Sequence, residues 1–159
     1  MRIPAALIFV SAILGCSGES TMPPGFNEAC YGGNFRETLA GAKPVYSASL
    51  ALDSSSHAKL RELLSQVAKK HKLRFFDDST NYGKLNVFSV YLCSSKGAFT
   101  IIDSRASGDN TVRIDVFSYE ESWHPESFVD DLRAALASEW PRGLQEEDLP
   151  ETTLGNSFL

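Results

Sequence analysis

The fold is decided by three runs of sequence, LNVFSVYLC (residues 85–93), FTIID (99–103) and TVRIDVFSY (111–119). Each run is rich in β-branched and aromatic residues, which is typical of β-strands. Polar and glycine-containing segments separate the runs, and these segments predict turns at residues 94–97 and 107–110. The three runs therefore predict consecutive strands joined by short connections.

The third run shows how such a sheet is oriented, because apolar and polar side chains alternate along it. One face carries Val112, Ile114 and Val116. The opposite face carries Arg113, Asp115, Phe117 and Tyr119. Successive side chains of a strand point to opposite faces of the sheet. One face is then expected to pack on the core, while the other is at least partly exposed to solvent, as in antiparallel sheets.

Two amphipathic helices complete the predicted fold. Apolar residues recur at helical spacing in the first helix (Leu60, Leu63, Leu64 and Val67) and in the second (Phe128, Val129, Leu132, Ala135 and Leu136). Shorter strands are predicted at residues 45–52 and 73–76. The resulting order, β-α-β-β-β-β-α, favours an α+β two-layer sandwich, with an antiparallel sheet of four to five strands and both helices on one face.

Length and charge restrict what this domain is expected to bind. The chain has 159 residues and a formal net charge of −5. This length is typical of one domain, which we place at residues 45–140. The acidic balance argues against nucleic-acid binding, which requires a basic surface. Residues 141–159 are acidic and punctuated by proline and glycine, so we expect a loose tail there.

The N-terminus carries a targeting signal. Arg2 precedes an apolar run at residues 3–14, which is shorter than the about 20 residues needed to span a bilayer. The run ends in Ile13-Leu14-Gly15-Cys16, which resembles the lipobox of bacterial lipoprotein precursors. The resemblance implies a signal peptide at residues 1–15 and acylation of Cys16, for example with palmitate. A plain secretory signal cut after a residue such as Gly18, or a buried helix, remains an alternative.

The resemblance also implies where the mature protein lies. Ser17 follows the lipidated cysteine, where an aspartate commonly retains Gram-negative lipoproteins at the inner membrane. We therefore expect Cys16 to anchor the chain in the cell envelope, at the outer membrane and facing the periplasm in a Gram-negative source. Residues 16–44 would form the lipidated cysteine, a flexible tether and an irregular N-terminal segment.

Lipidation of Cys16 leaves an even number of cysteines in an oxidising compartment. We therefore predict a disulfide between Cys30 and Cys93, which would staple the irregular N-terminal segment to the sheet. The alternative is two unpaired thiols, with Cys93 buried in a strand and Cys30 in a coil.

Catalytic and metal-binding motifs are not evident in the sequence. The three histidines do not occur in metal-ligand spacing, and we find no nucleophile elbow, P-loop or dinucleotide fingerprint. The most crowded ligand set is a predicted solvated loop before the second helix (Glu120, Glu121, His124 and Glu126). We predict no catalytic residue, metal or cofactor.

The remaining candidate site is a surface for a protein partner. It comprises an arginine and three aromatic residues on or just beyond the wet side of the last strand (Arg113, Phe117, Tyr119 and Trp123), residue types that dominate binding hot spots. Alternatively, the N-terminal segment or the tail covers this face. We expect a non-catalytic, protein-binding envelope lipoprotein of the assembly or immunity-inhibitor type. The alternative is an envelope hydrolase or small-ligand-binding lipoprotein.

Overall fold

The computed structural model describes part of the chain: Gly25, Phe26, Cys30 and residues 43–79, 87–94, 98–104, 110–118 and 124–149. The helices are α1 (His57–Lys70) and α2 (Glu126–Glu139). The strands are β1 (Tyr46–Ala51), β2 (Arg74–Asp77), β3 (Ser89–Cys93), β4 (Ala98–Asp103), β5 (Thr111–Ser118) and β6 (Leu144–Glu146). The predicted α+β class is confirmed.

The six strands form one antiparallel sheet in the order β2-β3-β4-β5-β1-β6. The three runs that decide the fold are neighbours in it, as β3, β4 and β5. Strand β1 lies between β5 and β6, so that Tyr46 is opposite Val116 and Leu50 is opposite both Val112 and Leu144. The first strand of the domain therefore has a neighbouring strand on each side.

Both helices pack on one face of the sheet, which we call the inner face. Buried residues of the two helices and of the strands form a single core, represented by Leu60, Leu64 and Leu132 from the helices and by Ala48 and Ile114 from the sheet. The 3,4-spacing of leucines in α1 places them on one stripe of the helix. The alternation predicted for residues 111–119 holds through β5, where Val112, Ile114 and Val116 are buried.

The predicted acidic tail is wrong in its first part. Residues Leu144–Glu146 form β6 and pair with β1, which brings the strands within the described ranges to six instead of the four to five expected. The segment is short and acidic, so its own composition does not favour a strand. Its pairing depends on Leu144, which packs against the core, and on the edge that β1 offers.

The turn after α1 contains a residue in the left-handed region, since Lys72 has a φ of 58°. Its N–H donates to the Lys69 carbonyl at 3.2 Å, and the Leu73 N–H donates to the Ala68 carbonyl at 2.8 Å. This is the Schellman pattern, in which glycine is usual at the left-handed position.

We predict that Lys72→Gly raises the free energy of unfolding by about 1 kcal/mol, because glycine removes the Cβ that disfavours this conformation. Urea denaturation would measure the change. Lys72→Ala keeps the Cβ and is the matched control, for which we expect no such gain. Equal stability of the two variants would contradict the argument.

Candidate functional site

The candidate site lies on the outer face of the sheet, opposite the helices. Arg113 and Phe117 are both half-buried residues of β5, and the strand alternation places them on this face. Tyr119 and Trp123, the other members of the predicted partner surface, lie outside the described residues, as does Cys16. The structure therefore places two of the four predicted residues on the expected face.

Arg113 is held by three side chains of the same face. Its Nε donates to Asp115 Oδ2 at 2.9 Å, and its Nη2 donates to Ser47 Oγ at 3.0 Å. Its terminal nitrogens also donate to both carboxylate oxygens of Glu147, at 2.9 and 3.1 Å. The hydrogen bond to Asp115 is the largest of the effects that raise the pKa of Arg113. The guanidinium therefore stays charged and is fixed in one orientation.

The Glu147 carboxylate belongs to the segment that was expected to be a loose tail. It follows β6 directly, and its backbone N–H donates to the Ser47 carbonyl at 3.0 Å. The predicted partner surface is thus contacted by an acidic residue of the same chain. This finding supports the alternative that the tail covers part of the outer face.

A second arginine contacts β6 from the inner face of the sheet. Arg133 of α2 donates through Nε to Glu146 Oε1 at 2.5 Å and through Nη1 to Asp130 at 3.0 Å. The Arg133 guanidinium also lies 5.5 Å from the centre of the Tyr46 ring. Burial, followed by the nearby Glu146 carboxylate, raises the pKa of Tyr46 to about 12. Consecutive glutamates of the chain are therefore bound by arginines on opposite faces of the sheet edge.

A close backbone approach precedes β6. The Ala51 N–H donates to the Gly143 carbonyl at 2.9 Å. A Cβ added at Gly143 would lie 2.9 Å from the Ala51 carbonyl oxygen and 3.4 Å from the Trp140 Cβ. The Ala51 oxygen belongs to the backbone of β1, so it cannot move without disturbing the strand. Glycine at this position allows β6 to reach the edge of β1.

Two residues of the N-terminal region, Phe26 and Cys30, contact the other half of the outer face. Phe26 is fully buried, with its ring centre 5.5 Å from that of Phe76 and 5.2 Å from that of Tyr91. Cys30 lies at disulfide distance from Cys93 in β3, with Cα atoms 5.6 Å apart. The predicted pairing partners are thus adjacent, and the described part of the N-terminal region packs on the sheet.

A surface pocket of about 460 Å³ lies between the start of α2 and the ends of the strands. Its lining includes Ser118, His124, Asp130 and Arg133. Among the described residues, no group of three or more His, Cys, Asp or Glu side chains is arranged to hold a metal ion. Glu120 and Glu121, which the sequence places beside His124, lie outside the described residues.

No helix within the described ranges is long and apolar enough to cross a membrane. A comparison with protein-family models and with curated protein sequences finds no match for this chain.

The sequence analysis did not identify Gly143, Glu146 or Glu147 as part of the site. It also did not identify Arg133, the partner of Glu146. The available signal is the order of residues 143–147, in which glycine and leucine precede an acidic pair. That pattern becomes meaningful only when the two arginines are known to flank the edge of β1.

Proposed function

We propose that this chain is a membrane-anchored lipoprotein of the bacterial cell envelope whose domain binds a protein partner without catalysis. The anchor is proposed from the lipobox at Ile13-Leu14-Gly15-Cys16. The domain's role rests on one observation, which is the orientation of Arg113 on the outer face. An arginine whose side chain is already fixed loses little conformational freedom on binding, and arginine is enriched in hot spots.

The same proposal places the mature protein at the outer membrane, facing the periplasm. Its role there is either envelope assembly or inhibition of the immunity type. A disulfide between Cys30 and Cys93 is a further part of the proposal. The periplasm is oxidising, and the two Cα atoms lie 5.6 Å apart, within the range that disulfides require.

Membrane fractionation of a Gram-negative host tests the anchor. We expect the full chain to incorporate labelled palmitate and to sediment with the outer membrane, because several acyl chains on one cysteine bind a bilayer almost permanently. Cys16→Ser should abolish labelling and remove the protein from the outer-membrane fraction. Ser17→Ala is the matched control and should fractionate like the wild type. Labelling of Cys16→Ser, or no labelling of the wild type, would refute acylation at this residue.

The partner is tested by crosslinking in the envelope. We expect the lipidated chain to capture a defined envelope protein, and Arg113→Gln to reduce this capture at least about tenfold, as for a hot-spot residue. Arg74→Gln removes an exposed arginine of β2, at the opposite edge of the sheet, and is the control. Equal capture by wild type and Arg113→Gln would contradict the assignment of this surface.

The second candidate, a small-ligand-binding or hydrolytic lipoprotein, is favoured by the pocket at the start of α2. Its volume of about 460 Å³ lies in the range of small-molecule sites. Ser118, His124 and Asp130 line it, and these residue types serve in hydrolases. Envelope metabolites bound there in place of a protein partner would favour this candidate.

A further inference from the structure

Strand β6 is held on the domain by contacts that discriminate among side chains. Leu144 packs against the core, and Glu146 binds Arg133 on the inner side of the sheet edge. Glu147 binds Arg113 on the outer side with two hydrogen bonds. The β1 edge thus selects one apolar side chain and two carboxylates from an extended segment.

The two ion pairs add little to the attachment of β6. The strand has three residues, and its ladder lies on the edge of the sheet. The ion pair of Arg113 with Glu147 is 36% and 40% exposed, and that of Arg133 with Glu146 is 43% and 42% exposed. Pairs with this much solvent contact contribute little to stability. An equivalent segment from another molecule can therefore compete with β6.

We propose that the β1 edge is a docking site for an extended acidic segment of a protein partner, and that β6 occupies this site as an internal substitute. The inference rests on the proposed protein-binding function and specifies the partner's chemistry. The segment would contain a glycine, then an apolar residue, and acidic residues at the second and third positions after the apolar one. It would add to the sheet as an antiparallel strand, which is a recurring mode of peptide recognition.

Charge complementarity favours a partner of this composition. Arg113 and Arg133 lie on opposite sides of the edge, and each binds one carboxylate of the present occupant. The Gly143 position adds a steric requirement, because a Cβ there would approach the Ala51 carbonyl oxygen to 2.9 Å. A segment of different sequence would lose one or more of these contacts.

The test uses a fluorescent peptide with the sequence of residues 142–148, RGLQEED, titrated into the full chain in detergent micelles. We expect Gly143→Ala in the protein to tighten peptide binding about tenfold, because it undocks β6 and raises the fraction of protein with a free edge. Glu146→Gln combined with Glu147→Gln in the protein should act in the same direction. That double variant takes the place of Gly143→Ala in the titration if Gly143→Ala does not fold. Asp148→Asn is the control and should bind like the wild type.

Two further measurements test which side chains of the peptide and of the protein are required for binding. The peptide RGLQQQD should bind several-fold more weakly than RGLQEED, because two solvent-exposed ion pairs are lost. In the Gly143→Ala protein, Arg113→Gln and Arg133→Gln should each weaken RGLQEED binding. The proposal is overturned if peptide binding is unaltered by the glutamine substitutions in the peptide or by the arginine substitutions in the protein.

The proposal is also overturned if RGLQEED binds none of the undocked variants. Concentration-dependent dimers that the peptide does not dissociate would assign the edge to a second copy of this chain instead. These results are independent of the envelope crosslinking. If an envelope protein is captured but the peptide does not bind, the docking site proposed here fails while the protein-binding function stands.

Discussion

Replacing Cys30 and Cys93 together by alanine should lower the free energy of unfolding by about 4 kcal/mol. The cysteines are separated by 63 positions in the chain, so a bridge between them closes a long loop in the unfolded state. In the loop-entropy model the stabilisation grows with the length of that loop. The bridge would also keep Phe26 close to the sheet, which favours burial of its ring.

Urea denaturation of the purified mature protein, with and without reductant, would measure this effect. We expect reduction of the wild type to reproduce the loss seen in the double alanine variant. Reductant should leave the stability of that variant unchanged, which makes it the internal control. Two thiols reactive in the denatured protein before reduction would contradict the disulfide.

Phe26→Ala should lower the free energy of unfolding by about 3–5 kcal/mol, the range for truncating a fully buried aromatic residue. The Phe26 ring has no exposed surface and lies edge-on to both Phe76 and Tyr91. Its removal leaves a cavity between the N-terminal region and the sheet. Thermal or urea denaturation of the variant would give the magnitude.

Two controls separate this packing from a general effect of truncation. Phe26→Leu should cost less, because much of the buried volume is kept. Val45→Ala truncates a side chain that is 47% exposed and should change stability by no more than about 0.5 kcal/mol. If Phe26→Ala resembles Val45→Ala, Phe26 does not pack as described. We also expect Phe26→Ala and loss of the bridge to be non-additive, because both release the same segment.

The two ends of the described chain both contact the outer face. Phe26 and Cys30 cover β2 and β3 from the N-terminal side. Glu147 reaches Arg113 from the C-terminal side. Releasing either segment would uncover a different surface, aromatic in the first case and basic in the second. The stability and peptide-binding experiments therefore examine separate parts of this face.

Periodicity predicted the elements that have strong local patterns. The leucine stripe of α1 and the alternation in β5 each bury one side of an element whatever the rest of the fold does. The face that carries Arg113 and Phe117 follows from the same alternation. The cysteine pairing was predicted by counting, and the structure places Cys30 and Cys93 at disulfide distance.

The error at residues 144–146 has a different origin. Three residues carry too little pattern to predict a strand, and an acidic composition normally indicates a solvated segment. Leu144–Glu146 pairs with β1 because of an edge that is formed far away in the chain. Arg113 was predicted as a partner residue on the same local grounds, and the alternative that the tail covers this face did not identify Glu147 as its contact.

The sequence by itself determined the α+β class and the helical and strand faces, because hydrophobic period is a local property of the chain. Only the tertiary structure decided that β1 lies between β5 and β6, and that two arginines flank the edge it offers. Those facts depend on residues such as Ser47, Arg113 and Glu147, which are far apart in sequence. Strand order is set by which packing buries the most apolar surface and satisfies the most backbone groups, and no single segment encodes that choice.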